Sequence, residues 1–392
     1  MIYDAVVIGA GPAGSAAARD VARHGFKTLL LEEHPTIGQP LHCAGLVTPR
    51  TLAMAQVPEA VVVNPLRGAY INTTGPQLRL GGDRSRAVVM DRVQFDREMA
   101  RQAQEAGAEL LLASRAAAME RTDGLVRLQV ERRGKATTVL TRLVIAADGA
   151  HSHTARWLGL RPRFQEMLAG LGIEARGQPR SEAMVEVFVG QDIAPGFFAW
   201  MIPLGNRRLR IGIATADGSK PIHYLSRLVA AFPRHFRGVE FVQFYGGTIP
   251  LRLWDRTYDD NVMLVGDAAG QVKPTSGGGI YMGLVGAKHC ADVAISALGR
   301  DDLSAAFLSQ YQRHWTADIG GELQQGVVLR RLYLSASNTQ VQRALAILSQ
   351  PYLRRIINAA GDIDYPSVLF RRLTAAAPFI LRLLGLSLPS PA

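Results

Sequence analysis

Tyr3-Asp4-Ala5-Val6-Val7-Ile8-Gly9-Ala10-Gly11-Pro12-Ala13-Gly14 runs an apolar segment straight into a Gly-x-Gly-x-x-Gly turn, and helical spacing continues to His24-Gly25. A second apolar segment, Thr28 to Leu31, ends in Glu32. Strand, glycine turn, helix and a strand ending in an acid make up the dinucleotide-binding βαβ fingerprint. Gly9 permits the tight turn, Gly11 lets the backbone approach a pyrophosphate, and Gly14 lets the helix lie close on the strand. The helix start, with Ala13 in its first turn, offers unpaired N–H groups and partial positive charge to phosphates. Glu32 stands where a carboxylate accepts hydrogen bonds from ribose hydroxyls.

Beyond this unit the chain is long enough, at 392 residues, for two or three domains, and 48% hydrophobic against 20% charged residues describe a globular protein. The formal charge of +11 is carried almost entirely by arginine. It suits anionic partners such as a diphosphate or an anionic lipid surface, or it is simply a solvated surface. No zinc-finger spacing, basic arm or aromatic RNP-type strand points to nucleic acid. Cys43 and Cys290 are the only cysteines, too few for a disulfide framework or an iron–sulfur cluster, and no metal site is expected. The N-terminus enters the first strand at once, and no run of ~18 apolar residues is present. The expected location is cytoplasmic, with attachment to the inner face of a membrane left open.

Along the chain, the Gly- and Pro-rich loop from His34 to Gly45 leaves the sheet beside the nucleotide crevice. Residues 61 to 84 read as antiparallel strands, and Val93, Phe95, Met99 and Ala103 mark a helix ending at Gly107. Glu109 to Ala113 reads as a strand. A hairpin-like pair, Val126 to Val130 and Thr137 to Leu140, precedes a separate apolar strand, Leu143 to Ala147, ending in Asp148-Gly149. Alternating strands at Met184 to Val189, Phe197 to Pro203, Arg208 to Thr215 and Phe241 to Ile249 suggest an inserted antiparallel layer. Val262 to Val265 leads to Gly266-Asp267, then Pro274-Thr275-Ser276-Gly277-Gly278-Gly279-Ile280 and a helix. The expected fold is α/β: a Rossmann-type FAD-binding domain, an inserted antiparallel-sheet substrate domain and a helical C-terminal region. Residues 1–60, 85–160 and 250–300 would form the first, 61–84 and 161–249 the second, and 301–392 the third.

The βαβ unit alone does not separate NAD from FAD. Asp267 near a ribityl or pyrophosphate group, and backbone N–H groups around Gly278 and Gly279 near a flavin N1–C2=O edge, add later segments to the same cofactor and favour FAD. On these motifs the chain resembles flavoproteins built like p-hydroxybenzoate hydroxylase. Phe198-Ala199-Trp200-Met201-Ile202-Pro203, followed by Gly212-Ile213-Ala214, and Pro40-Leu41-His42-Cys43-Ala44-Gly45 are similar to two signatures of the geranylgeranyl reductase family within that group. Phe198, Ile202 and Ala214 depart from its usual Tyr, Phe and Gly, and Glu33 from the basic residue that commonly follows the ribose acid.

The resemblance implies FAD held by Gly9, Gly11, Ala13, Gly14, Glu32, Cys43, Ala44, Gly45, Arg92, Ala116 (near the adenine), Asp267, Gly278, Gly279 and Ile280. It implies reduction of C=C bonds in geranylgeranyl chains by flavin hydride transfer with protonation. An unactivated alkene accepts hydride poorly, so protonation leads or accompanies transfer. Cys43 is the candidate at that position, as proton donor or as a fixer of geometry; a space-filling thiol is the plain alternative. His42 and Tyr281 are secondary candidates, and Cys290 reads as core. Phe198, Trp200 and Pro203 would line an apolar tunnel.

The substrate would be an isoprenoid lipid or prenyl diphosphate, with the pairs Arg207-Arg208, Arg330-Arg331, Arg354-Arg355 and Arg371-Arg372 as candidate phosphate contacts. The apolar tail Pro378 to Leu386 would dock at a bilayer or pack on its own domain. The electron donor would be NAD(P)H, which has no second Gly-x-Gly-x-x-Gly to bind it, or a small protein such as reduced ferredoxin. The alternative on the same fold is an FAD-dependent monooxygenase acting on an aromatic or polyprenyl substrate. A halogenase would need a lysine after the flavin loop, where residues 45 to 95 have none.

Overall fold

The computed structural model describes residues 2–376 apart from 123, 217 and 219; the tail segment Pro378 to Leu386 lies outside the described residues. The strand Ile2–Ile8 is central because Ala5, Val6 and Val7 are all inaccessible to solvent, on both faces of the sheet. It pairs in parallel with Thr28–Leu31 on one side and with the last part of Lys135–Ala146 on the other. Glu109–Leu111 and Val262–Leu264 extend the parallel sheet outward, and Tyr258–Asp259 closes one edge antiparallel. Unbroken apolar runs, rather than alternation, are what parallel strands covered on both faces require. The helices Pro12–Arg23, Arg92–Glu105, Ile280–Arg300 and Ala305–Trp315 cover one face through Ala17, Val21, Phe95, Met99, Cys290 and Tyr311. Val126, Leu128 and Val130 of an antiparallel pair, Ser114–Thr122 and Leu125–Arg132, cover the other.

Lys135–Ala146 is one continuous strand, not the hairpin arm and separate strand read from the sequence. Its first half pairs antiparallel with Leu125–Arg132 and its second half parallel with Ile2–Ile8. The polar step Thr141-Arg142 bridges the two halves without breaking them. Thr141 is buried with its hydroxyl bonded to the Leu143 carbonyl at 2.9 Å, and Arg142 reaches Asp4 at 2.9 Å and Asp301 at 2.6 Å.

A second sheet of seven strands among the described residues has the order Glu240–Trp254, Pro162–Arg176, Arg208–Thr215, Phe198–Gly205, Met184–Val189, Gly68–Asn72 and Gln77–Gly81. It is antiparallel except where Met184–Val189 meets Gly68–Asn72. The helices Ile222–Ala231 and Pro233–Phe236 pack on one face over Ile173, Phe188, Met201, Leu209 and Ile211. Residues 61 to 84 divide between sheets: Val62–Leu66 instead joins Leu46–Val47 and Ala87–Met90 in a three-stranded sheet.

Further helices follow at Gly321–Ser335, Asn338–Leu348, Pro351–Ala360 and Pro366–Ala376. Arg330 here corrects a sequence expectation. It is 3% exposed, its Nε lies 2.7 Å from Glu166, and its Nη1 donates to the Gly196 carbonyl at 2.9 Å. It therefore ties this region to the seven-stranded sheet and is not free to meet a lipid phosphate.

Candidate active site

At the carboxyl end of the central strand, Gly9 takes φ of +100°, and a Cβ there would lie 2.4 Å from the Ala147 carbonyl oxygen. A Cβ on Gly14 would lie 1.9 Å from the Gly9 oxygen, whereas one on Gly11 would meet nothing within 4 Å. The turn is thus packed shut behind Gly9 and Gly14 and open in front of Gly11, which is the shape a pyrophosphate needs. The Glu32 carboxylate accepts from the Ala10 N–H at 3.0 Å, and from the His34 N–H at 2.9 Å. It therefore joins the glycine turn to the next loop.

Two buried polar atoms beside this crevice have no hydrogen-bond partner among the described residues: Asp148 Oδ1 and Arg252 Nε. The other Asp148 oxygen caps Thr154 at 2.9 Å, and Arg252 Nη2 donates to the Ala150 carbonyl at 2.5 Å. Unsatisfied buried groups of opposite charge beside an open glycine turn fit a polar dinucleotide that supplies the missing partners. Further along, an open cleft of about 490 Å³ is lined by Glu33, Ala113, Arg115, Glu131 and Arg133. Ala116 sits one step beyond it, buried and paired with Val130.

Asp267 and the following glycines converge from the other side. Ala13 packs against Gly266, and a Cβ on Gly279 would lie 2.6 Å from Asp267 Oδ1, so the carboxylate rests on the residue that precedes the helix Ile280–Arg300. Burial pushes the Asp267 carboxyl up, partly offset by the charges of Arg92, His42 and Arg252. The loop is held rigid by residues that the sequence did not single out. Gln271 accepts from the Gly266 N–H at 2.8 Å and donates to Tyr311 at 2.9 Å. Lys273 donates to Asp364 at 3.0 Å and to the Ile363 carbonyl at 2.8 Å, and Thr48 donates to the same carboxylate at 2.6 Å. Tyr281 meets Tyr365, hydroxyl to hydroxyl at 3.3 Å, in this clamp.

Cys43 lies, half-buried, on the loop that leads into Leu46–Val47. Its sulfur accepts from the Gly45 N–H at 3.4 Å and faces the Arg92 guanidinium. Asp91 caps the helix that begins at Arg92, and Arg92 in turn binds Asp96 at 2.9 Å. Burial opposes the charge on Arg92, but Asp96 and Cys43 more than compensate and hold its pKa above the usual value. Cys290 is fully buried within its helix, as expected of a core thiol.

The seven-stranded sheet turns an unusual face toward Cys43. One cross-strand row reads Tyr245, Gly172, Gly212 and Trp200, and the next contains Gly247, Gly170 and Ala214. The Tyr245 ring lies on Gly172 and the Trp200 ring on Gly212, where added Cβ atoms would fall 2.0 and 2.1 Å from ring carbons. The neighbouring row carries almost no side chain, leaving a furrow bordered by Leu168, Ile249, Phe197 and Phe198. His42 crosses beside Gly247, its carbonyl oxygen 3.0 Å from where a Cβ would stand. Trp200 Nε1 is buried without a partner among the described residues. Pro203 is a correction: it pairs with Leu209, whose side chain belongs to the core on the opposite face, so strand alternation carries it away from the furrow.

This combination of a dinucleotide βαβ unit, a second glycine-rich loop and a sheet laid over both defines an FAD-dependent oxidoreductase. The FAD binding domain family matches residues 3–314. The chain is 32% identical to digeranylgeranylglycerophospholipid reductase 2 of Methanothermobacter thermautotrophicus, over 94% of this chain and 98% of that one. It is 31% identical to an uncharacterized protein of Methanocaldococcus jannaschii, over 92% of each. The solved structure of a geranylgeranyl bacteriochlorophyll reductase-like protein from Thermoplasma acidophilum shares the fold, with a TM-score of 0.88 at 24% identity over 98% of both chains. The chain belongs to the geranylgeranyl reductase family.

Proposed function

We propose that this protein saturates C=C bonds in the geranylgeranyl chains of a lipid with an anionic head group. The observation that carries this reading is the nearly side-chain-free furrow of Gly170, Ala214 and Gly247, walled by apolar and aromatic residues and crossed by the His42–Cys43 segment. A flexible prenyl chain fits such a slot, which offers it dispersion contacts and no polar competitor. The glycine turn, Glu32, Asp267 and the Gly278-Gly279 segment would hold FAD, which in its reduced form would supply the hydride. The chain's own residues place the alkene against that carrier, exclude water and deliver a proton, with Cys43 as the proton donor. NADH, NADPH and reduced ferredoxin are the candidate electron sources. A division into an FAD-binding unit, a substrate unit and a helical unit follows the same reading, with Val62–Leu66 moved to the FAD-binding side and Glu240–Trp254 kept whole in the substrate sheet.

Substrate class is tested by challenging the anaerobically reduced protein with a digeranylgeranylglyceryl phospholipid, geranylgeranyl diphosphate and an uncharged geranylgeranyl ether. Rapid flavin reoxidation by the phospholipid, with mass gains of two units per bond, is expected. Equal reoxidation by all three would remove the head group from the proposal.

A membrane-resident substrate needs a docking face, and no described helix is long and apolar enough to cross a bilayer. The edge strand Glu240–Trp254 presents Val242 and Phe244 to solvent, 52% and 49% exposed, near exposed Arg176, Arg208 and Arg237. The same strand carries Tyr245 and Gly247 to the furrow. An anionic lipid surface suits this apolar tip with its basic surround. Phe244→Asp should lower cosedimentation with phosphatidylglycerol vesicles by about tenfold, roughly 1.4 kcal/mol, as expected for burying one aromatic side chain. Unchanged binding would place the docking face elsewhere.

A further inference from the structure

We infer that Arg210 is a positioning residue that latches the Cys43 loop to the seven-stranded sheet. This rests on the proposed role of Cys43 but concerns how the loop is held. Leu209, Ile211 and Ile213 send their side chains into the core under the helices, which leaves Arg210, Gly212 and Ala214 on the furrow face. A long cation in a row of glycine and alanine is buried at 7% exposure. Such a charge persists only with partners.

Arg210 has two. Its Nε donates to Glu174 at 2.6 Å, directly opposite in the ladder, and its Nη1 donates to the Ala44 carbonyl at 2.9 Å. The same Nη1 lies 2.9 Å from where a Cβ on Gly45 would stand, and the Met90 carbonyl lies 2.6 Å from that point. Gly45 is therefore packed closely against the three-stranded sheet through Met90 and against the seven-stranded sheet through Arg210. The Gly45 carbonyl also accepts from the Met90 N–H at 2.8 Å.

The loop crosses the furrow face, with the His42 carbonyl over Gly247 and the Ala44 carbonyl bound by Arg210. Burial pushes the Tyr245 phenol up, the Arg210 charge opposes this and the Glu174 charge adds to it, so the ring that lies on Gly172 stays uncharged. The Cys43 segment is thus approached by one guanidinium from the helix that begins at Arg92 and by one from the seven-stranded sheet. Arg92, anchored on Asp96, faces its sulfur; Arg210, anchored on Glu174, holds the next peptide. Loss of the second anchor frees the loop from the sheet that forms the furrow while leaving the Arg92 contact intact.

The test is alkylation of Cys43 by iodoacetamide in the FAD-loaded protein, located by peptide mass spectrometry and measured at pH values where the rate no longer rises with pH. At that plateau the rate reports access rather than thiolate fraction. Arg210→Met should raise it at least about tenfold, the scale of one lost hydrogen bond to a charged group. Arg210→Lys should restore part of the protection, and Glu174→Ala should give an intermediate increase. With the phospholipid as substrate, Arg210→Met should lower kcat with little change in KM. Plateau rates within twofold of wild type in both Arg210→Met and Glu174→Ala would overturn the proposal. If Arg210→Met fails to fold, Glu174→Ala decides alone. The labelling result stands whether or not any lipid is reduced, so failure of the latch and failure of the proposed activity are separable.

Discussion

Gly11→Val is expected to yield a folded, colourless protein. The backbone at Gly11 takes φ of −68° and ψ of 178°, extended geometry open to any residue, and an added Cβ meets nothing within 4 Å. The fold has little reason to object: Gly11 makes no side-chain cap, and the helix gains its start from Pro12. The valine methyl groups instead occupy the space in front of the turn, where a pyrophosphate would approach the backbone N–H groups. Losing two charge-assisted hydrogen bonds there should weaken FAD binding by about 10²-fold or more. Gly14→Val makes the contrast, because its Cβ would stand 1.9 Å from the Gly9 oxygen and 2.9 Å from the Ala147 side chain. That variant should fail to fold rather than merely lose cofactor. The check is flavin absorbance after purification, with circular dichroism for the fold. A yellow Gly11→Val protein would show that the dinucleotide does not use this turn.

Cys43→Ala is expected to keep its FAD and lose most of its turnover. The cofactor contacts proposed for this loop come largely from the backbone, and Gly45 remains fixed through Met90 and Arg210. The floor of the furrow, Gly170, Ala214 and Gly247, carries no acidic side chain, which leaves the thiol to supply the proton for an unactivated alkene, with His42 beside Gly247 as the alternative. Loss of a positioned general acid typically costs about 10²–10⁴ in rate. Single-turnover reoxidation of the reduced variant by the phospholipid measures this without the electron donor. A rate within twofold of wild type would assign the thiol to packing and leave the proton to His42 or water.

The first βαβ unit was legible because its constraints are local: each glycine answers a backbone requirement within a few residues, and the strand is apolar from end to end. The Gly266-Asp267 loop was legible for the same reason. Pro162–Arg176 was not, although it pairs along most of its length with Glu240–Trp254. Its middle, Ala169-Gly170-Leu171-Gly172, trades β-branched alternation for the small residues that two aromatic rings and a furrow require. Pro203 was misplaced because a motif read as a string ignores which face each residue occupies.

Arg210 left a faint signal, a lone charge within Leu209-Arg210-Ile211, which strand alternation places on the face opposite its neighbours. Lys273 left none. Its partner Asp364 lies on a segment far along the chain, and only the folded helical region brings the two together. Tyr245 likewise comes to lie on Gly172 only through the ladder register of the edge strand.

The most direct test of the central claim is the stoichiometry of one anaerobic turnover. Protein reduced by one equivalent of dithionite per flavin, then mixed with the digeranylgeranylglyceryl phospholipid, should return to the oxidised spectrum near 450 nm. One C=C bond should be saturated for each flavin oxidised, with no oxygen incorporated. Flavin that stays reduced until air is admitted, and then yields a hydroxylated product with no saturated bond, would contradict the account and identify a monooxygenase on the same fold.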